Sequence, residues 1–183
     1  MKKVSNLLAS AAVAVAILFG TNAKAQTTTT SKNADSSPWR LGFGIEGGIP
    51  TGDAKDGSNF ELGGSARLQY GLSDAFDLTL TSGYNNFFAK SVTIDNVSVK
   101  GQDLGIVPVK LGIKAFFAQN IYFGAEAGAG FETVTDGNTK LILSPALGWA
   151  NQHWDVGVNY TNYSGQGNNY GSVGLRLAYG FGL

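Results

Sequence analysis

The sequence predicts an all-β fold, an eight-stranded antiparallel up-and-down transmembrane β-barrel, and three observations predict it. From residue 39 onward, apolar residues alternate with other residues at the period of two that is typical of strands. Glycine accounts for 26 of the 183 residues and falls mainly on the face opposite the apolar one. The connections between strands are alternately short and long, as in a barrel whose two ends differ.

The first 25 residues are typical of an export segment. A basic start precedes an apolar run over 7–20, and a small-residue cleavage pattern follows at Ala23-Lys24-Ala25. The stretch 26–37 is rich in Thr, Ser and Asn without an apolar period, and it predicts a flexible lead-in. The expected organisation is a signal peptide over 1–25, the lead-in over 26–37 and a barrel over 38–183.

Charge and cysteine content exclude several classes of function. Without the export segment, 10 Lys and Arg stand against 13 Asp and Glu, a net charge of −3. A mildly acidic chain gives no reason to expect nucleic-acid binding. The chain has no cysteine, which excludes disulfides and thiol chemistry. After residue 25 no apolar run is long enough for a membrane helix, whereas a strand-built barrel needs no such run.

Four alternating segments predict the first half of the barrel, over 39–49, 60–70, 76–84 and 107–117. Apolar side chains alternate in each with glycine, polar or charged ones, as in a strand with two unlike faces. Pro108 removes a ladder donor from the fourth segment, so a local bulge is expected there. In order, the apolar positions are Trp39, Leu41, Phe43, Ile45 and Ile49, then Phe60, Leu62, Ala66, Leu68 and Tyr70, then Phe76, Leu78, Leu80 and Tyr84, then Val107, Val109, Leu111 and Ile113.

Four more segments predict the second half, over 121–132, 140–150, 154–161 and 172–183. Pro145 predicts a second bulge, and the last segment has the most regular alternation of all. Strands of about nine to eleven residues suit a tilted bilayer crossing. The apolar positions are Ile121, Phe123, Ala125, Ala127 and Phe131, then Leu141, Leu143, Leu147 and Trp149, then Trp154, Val156, Val158 and Tyr160, then Val173, Leu175, Leu177, Tyr179, Phe181 and Leu183.

The connections predict which end of the barrel is which. Short turns are expected around 71–75, 118–120 and 151–153, and longer segments over 50–59, 85–105, 134–139 and 162–170. Both chain ends then fall on the short-turn side. Bacterial outer-membrane barrels have short turns in the periplasm and long loops outside.

Alternation alone does not decide which face is outside, because a soluble ligand-binding barrel also alternates, with its apolar face inward. Two features favour the membrane arrangement. A narrow eight-stranded lumen has little room for side chains, which suits a glycine-rich inner face. Aromatic residues of the apolar face also gather near the two strand ends, in two belts typical of membrane interfaces.

Here the chain resembles the small eight-stranded outer-membrane β-barrel proteins of the porin-like, OmpX- and OmpA-type group. The resemblance covers about residues 38–183 and lies in the Tyr70-Gly71-Leu72-Ser73-Asp74 turn, the Ser144-Pro145-Ala146-Leu147-Gly148-Trp149 segment and the alternating last strand. It implies that the last strand is the insertion signal read by the outer-membrane assembly machinery. That signal usually ends in an aromatic residue, whereas this chain ends in Leu183, two residues after Phe181.

Charged residues of the inner phase predict three pairs across neighbouring strands: Glu46 with Arg176, Lys110 with Glu126, and Arg67 with Asp77. We expect these pairs to plug the lumen, because an unpaired buried charge is costly. The alternative is a small wet lumen in which each charge is hydrated separately.

The sequence therefore predicts a non-enzymatic integral barrel of a Gram-negative cell outer membrane, in contact with its lipids and with a structural or surface-interaction role. No catalytic residue, cofactor or metal site is predicted; His153 lies in a turn without a triad-like partner spacing. The long loops, especially 85–105, are the expected contact surface for an unknown ligand. The alternatives, in order, are a narrow porin-like channel for small solutes, a lipid-acting barrel enzyme and a soluble periplasmic binder.

Overall fold

The computed structural model describes residues 38–94, 97–165 and 168–183. The predicted signal peptide and lead-in lie outside these residues. The elements, in chain order, are β1 (Trp39–Gly52), α1 (Ala54–Gly57), β2 (Ser58–Gly71), β3 (Phe76–Ala89), β4 (Ser91–Ile94), β5 (Val97–Lys100), β6 (Leu104–Phe116), β7 (Ile121–Glu132), β8 (Thr139–Ala150), β9 (Trp154–Gly165) and β10 (Tyr170–Gly182).

Eight of these strands close into one barrel in the order β1-β10-β9-β8-β7-β6-β3-β2, and every pair of neighbours is antiparallel. The predicted fold class is confirmed. The barrel closes where β1 pairs with β10, with Glu46 opposite Arg176. Among the described residues, no helix has the length and apolarity needed to cross a bilayer.

Side chains alternate between the two faces of each barrel strand, and the apolar set points outward. On β10, Leu175 is 63% exposed on the outer face, whereas its neighbour Arg176 is 6% exposed in the lumen. Leu111 on β6 and Lys110 beside it differ in the same way. An outer surface of this kind is unfavourable in water over so large an area, and it suits contact with lipid.

Aromatic side chains form contacts around the outer surface at both ends of the barrel. Near the short turns, Trp39 packs on Tyr70 at 4.8 Å between ring centroids and Trp154 packs on Tyr179 at 5.1 Å. Near the long connections, Phe60 stacks on Phe88 at 4.5 Å. These contacts lie where the predicted interfacial belts place aromatic residues.

The long connection predicted over 85–105 is mostly regular structure, so that prediction was wrong in its extent. β3 continues to Ala89, β6 begins at Leu104, and β4 and β5 form a two-stranded hairpin between them. The composition misled because Asn85 and neighbouring polar residues are typical of loops. In the barrel the Asn85 amide is buried and donates to Glu61 Oε1 at 2.6 Å, which satisfies it within a strand.

The bulges predicted at Pro108 and Pro145 are absent from the pairing of the described strands. Pairing between β3 and β6 is interrupted opposite Pro108, and pairing between β8 and β9 is interrupted at Pro145. The register is nevertheless the same on both sides of each interruption. Each proline therefore removes a donor from one ladder without inserting an extra residue.

Candidate functional site: the charged lumen

Inward positions of the barrel carry equal numbers of opposite charges. Six basic side chains face six acidic ones, so the charges of the lumen balance. Most are buried, and burial without partners would be costly for every one of them. The basic residues are Arg40, Arg67, Lys110, Lys114, Lys140 and Arg176, and the acidic residues are Glu46, Glu61, Asp77, Glu126, Glu132 and Asp155.

Among the described residues, Asp155 on β9 is the carboxylate with the most ion pairs. Its Oδ2 atom lies 2.5 Å from Lys114 Nζ, 3.3 Å from Arg67 Nη1 and 3.5 Å from Arg176 Nη1. Its Oδ1 atom accepts a hydrogen bond from Tyr122 Oη at 2.7 Å. The four partners belong to β6, β2, β10 and β7, so one side chain connects strands from all around the wall.

Glu126 on β7 forms a second centre, linked to the first through Arg67. Its carboxylate lies 2.8 Å from Arg67 Nη2 and 2.9 Å from Lys110 Nζ, and Thr81 Oγ1 donates to it at 2.7 Å. Arg67 thus bridges Glu126 and Asp155, and its Nε also donates to Thr81 at 2.9 Å. The guanidinium can do this because it carries five donors in a rigid plane.

Two of the predicted pairs are in contact. Arg176 Nε lies 3.3 Å from Glu46 Oε1, between residues directly opposite each other on β1 and β10, and Lys110 contacts Glu126 as described above. Ser65 Oγ donates to the same Glu46 oxygen at 2.9 Å. Arg176 therefore joins Glu46 to Asp155, and these ion pairs form one continuous cluster. We call Glu46, Arg67, Lys110, Lys114, Glu126, Asp155 and Arg176 the charged network.

The third predicted pair, Arg67 with Asp77, needs correction. The register of β2 and β3 places Arg67 opposite Thr81 and Asp77 opposite Gly71, four residues apart along the strands. The ion pairs of Arg67 go across the lumen instead, and Asp77 accepts a hydrogen bond from Gln69 Nε2 at 2.7 Å. In a narrow lumen, an arginine reaches carboxylates beyond the neighbouring strands.

Sequence reasoning missed Asp155 and Lys114 as members of the network. Both stand in the inner phase of their strands, so the alternation assigned their side. Neighbouring strands alone would have given Lys114 a different partner, because it lies directly opposite Asp77 on β3, whereas it forms an ion pair across the lumen with Asp155 on β9. Lys114 Nζ lies 4.5 Å from the centroid of the Tyr122 ring and 3.1 Å from Gln69 Oε1, in addition to its ion pair.

Glycine makes room for the long side chains of the lumen. A Cβ atom on Gly148 would lie 2.5 Å from Tyr122 Cζ, and one on Gly157 would lie 3.1 Å from Tyr122 Oη. A Cβ atom on Gly112 would lie 2.6 Å from Glu126 Cγ. At these three positions, Tyr122 and Glu126 occupy the space that glycine leaves free.

Nearer the long connections, a cluster of aromatic and aliphatic side chains occupies the lumen, beside Glu132 and Lys140. Its members are no more than 6% exposed although they point into the barrel: Phe87, Ile106, Ile142, Tyr163 and Tyr170. Tyr170 Oη donates to Glu132 at 2.7 Å, and Lys140 Nζ donates to the carbonyl of Asn168 at 2.9 Å. We call these five residues the apolar cap.

The free space in the lumen is small. One cavity of about 20 Å³ lies within the charged network, lined by residues that include Glu46, Lys110, Asn159 and Arg176. Another of about 20 Å³ lies toward the short turns, beside Arg40 and Asp155. Each is about the size of a single water molecule.

His153 lies at the mouth of the barrel on the short-turn side and is exposed. Its ring stacks on Tyr179 at 5.6 Å between centroids and 27° between planes. The nearby Asp155 carboxylate is occupied by three cations and a tyrosine hydroxyl. Among the described residues, no nucleophile and orienting carboxylate are therefore seen hydrogen-bonded to His153 in the manner of a catalytic triad.

Comparison with known proteins gives a likeness of fold. No protein-family model matches the chain, and no curated protein matches its sequence significantly. Among solved structures it is similar to Ail, the attachment invasion locus protein of Yersinia pestis, with 15% identity and a TM-score of 0.56 over 79% of this chain and 99% of that one. The fold is that of the small outer-membrane β-barrels.

Two further solved structures have a similar fold. The N-terminal β-barrel domain of Pseudomonas aeruginosa OprF has 14% identity and a TM-score of 0.51, over 80% of this chain and 99% of that one. The de novo designed barrel TMB2.3 has 17% identity and a TM-score of 0.51, over 79% of this chain and 96% of that one. The predicted resemblance to small eight-stranded barrels is confirmed at the level of fold.

Proposed function

We propose that this protein is a non-enzymatic integral barrel of the outer membrane whose lumen is closed by the charged network. The observation that carries the proposal is the contact of Asp155 with cations from β2, β6 and β10, which fills the lumen from wall to wall. Solute would have to break several buried ion pairs to pass. Removing one partner of such a pair costs roughly 3–5 kcal/mol.

Three observations support the membrane location. The outer surface is apolar across the barrel, aromatic contacts gather near both ends, and the solved structures of like fold include the outer membrane protein Ail. On this proposal the outer partners are membrane lipids, and the assembly machinery reads the C-terminal strand β10. The absence of a triad arrangement at His153 among the described residues favours a role without catalysis.

The long connections are the proposed contact surface. The connection over 90–103 is the longest of them and holds the β4–β5 hairpin. Ail has been solved in complex with the heparin analogue sucrose octasulfate. Here the four long connections carry three Lys against five Asp, so their net charge of −2 disfavours a sulfated polyanion as ligand.

The second candidate is a narrow channel for small solutes. The cavities beside charged residues favour it, but each holds only about 20 Å³. Water-filled barrels of the porin class have many more strands, because the interior widens with strand number.

Conductance in planar bilayers tests the proposal. Protein whose folding is verified by heat-modifiable gel mobility should give no steady openings, at a density where an open porin gives many. Liposome swelling with small sugars should agree. Steady openings of the intact protein would contradict the closed lumen and would support the narrow channel instead.

A further inference from the structure

The apolar cap closes the lumen at a different level from the charged network. Phe87 on β3 and Tyr163 on β9 belong to strands that stand opposite each other, with three strands between them in either direction. Their ring centroids are nevertheless only 5.9 Å apart, at 82° between planes. A contact between opposite walls leaves no passage between those two side chains.

The remaining members fill the space around this contact. Tyr170 packs edge-on against Phe87 at 5.7 Å and stacks on Tyr163 at 5.1 Å. Ile106 and Ile142 approach from β6 and β8. Gly130 on β7 leaves room for both, because a Cβ atom there would lie 2.9 Å from Ile142 Cδ1 and 3.1 Å from Ile106 Cγ2. Every member of the apolar cap thus contributes from a different strand.

The two layers are separated along the strands. On β10, Tyr170 of the apolar cap and Arg176 of the charged network are six residues apart, roughly 20 Å along an extended strand. Ser172 lies between them and is 3% exposed. The lumen therefore has a charged barrier toward the short turns and an apolar barrier toward the long connections.

We propose that the apolar cap is a second, independent barrier in series with the charged network. This inference rests on the proposed closed lumen and adds to it. The two layers resist passage for different reasons: the network holds its charges through ion pairs, whereas the rings and aliphatic side chains of the apolar cap pack against one another and form an apolar constriction, in which the Tyr170 hydroxyl is already bonded to Glu132. Loss of the network alone leaves the lumen closed.

The apolar cap is also the layer next to the external connections. Ala54 of α1 and Leu104, at the end of the connection over 90–103, pack against it. Lys140 ties the carbonyl of Asn168 to the same region. A change at the loop side therefore reaches the apolar cap before it reaches the charged network.

Four proteins test the inference in planar bilayers: the wild type, Arg67→Ala, the pair Phe87→Ala with Tyr163→Ala, and all three substitutions together. Only the triple variant should give steady openings. Openings of similar conductance in Arg67→Ala alone would overturn the apolar cap as a barrier, and openings in the cap pair alone would overturn the series arrangement. A silent triple variant would also overturn the inference, because other residues would then close the lumen. Steady openings of the wild type would instead overturn the proposed function.

Thiol labelling provides a second measurement that does not depend on conductance. The chain has no cysteine, so Ser172→Cys introduces a single reporter beneath the apolar cap. A membrane-impermeant thiol reagent added on the loop side should label it slowly, and at least about tenfold faster with Phe87→Ala and Tyr163→Ala, because access requires local opening. Phe88→Ala is the matched control, because Phe88 points to the outer face and stacks on Phe60. Equal labelling with and without the cap substitutions, in folded barrels, would overturn the inference.

Discussion

Arg67 on β2 and Asp155 on β9 lie 3.3 Å apart, although β1 and β10 separate their strands in the barrel wall. The pair crosses the lumen. The same guanidinium lies 2.8 Å from Glu126 on β7, so one arginine connects both acidic centres of the charged network. Arg67 is therefore the residue whose loss should affect the lumen most.

Arg67→Ala should lower the free energy of unfolding by about 3–5 kcal/mol, because it leaves two buried carboxylates with fewer cations. Urea unfolding of the folded barrel in lipid vesicles measures the loss. Lys55→Ala, at an exposed position of α1, is the control and should stay within about 0.5 kcal/mol of wild type. A loss as small as the control's would mean that the lumen charges are hydrated separately.

Whether an ion pair can be predicted from the sequence depends on whether its two residues lie on neighbouring strands. Glu46 and Arg176 could be paired in advance, because β1 and β10 must meet when the barrel closes and both residues stand at a similar depth. Arg67 could not be given its partners in this way. Its contacts depend on lumen width and side-chain length, and alternation carries no information about either.

Gly148→Ala tests whether glycine makes room for Tyr122. The added methyl would lie 2.5 Å from Tyr122 Cζ and would displace a ring whose hydroxyl donates to Asp155. Overpacking of this kind should cost about 1–3 kcal/mol of unfolding free energy. Gly182→Ala is the matched control, because no atom lies within 4 Å of the position of its Cβ.

A double-mutant cycle sharpens this test. In a Tyr122→Leu background the methyl at Gly148 should cost less, since the ring that it meets is gone. If Gly148→Ala lowered the free energy of unfolding equally in both backgrounds, glycine would be required there by the backbone and not by the space that Tyr122 needs.

Leu175→Arg tests the direction of the outer face. Leu175 is 63% exposed on the face that we assign to lipid, so a charge there should destabilise the barrel by about 2–4 kcal/mol in a bilayer. Leu183→Arg, at the end of the chain, should cost no more than about 1 kcal/mol, because the penalty falls toward the interface. Equal and small effects at both positions would contradict the assignment.

Lys140→Met tests the tie between the lumen and the last long connection. Lys140 Nζ donates to the carbonyl of Asn168 at 2.9 Å, and hydrogen bonds to charged groups contribute about 1.5–3 kcal/mol. Amide exchange over 168–172 should therefore become at least about tenfold faster in the variant. Lys90→Met is the control, because its Nζ donates to the carbonyl of Lys55 and its loss should leave 168–172 unchanged.

The apolar cap was harder to anticipate than the fold. Phe87, Tyr163 and Tyr170 fall in stretches whose Asn, Ser and Gly content predicts loops, although their alternation continues that of β3, β9 and β10. Strand ends in a barrel can be polar without being irregular, because the lumen satisfies their side chains, as it does for Asn85. In this chain, the period-two alternation of side chains predicts strand length better than the amino-acid composition does.

The central claim is that the apolar face of this barrel lies against lipid, and the native tryptophans test it most directly. The chain has three, Trp39, Trp149 and Trp154, and all are 41–45% exposed on the outer face near the short turns. In lipid vesicles, their fluorescence should be quenched strongly by lipids brominated near the headgroup end of the acyl chain, less by lipids brominated near the chain terminus, and weakly by aqueous iodide. Strong quenching by iodide with none by brominated lipids would contradict the account.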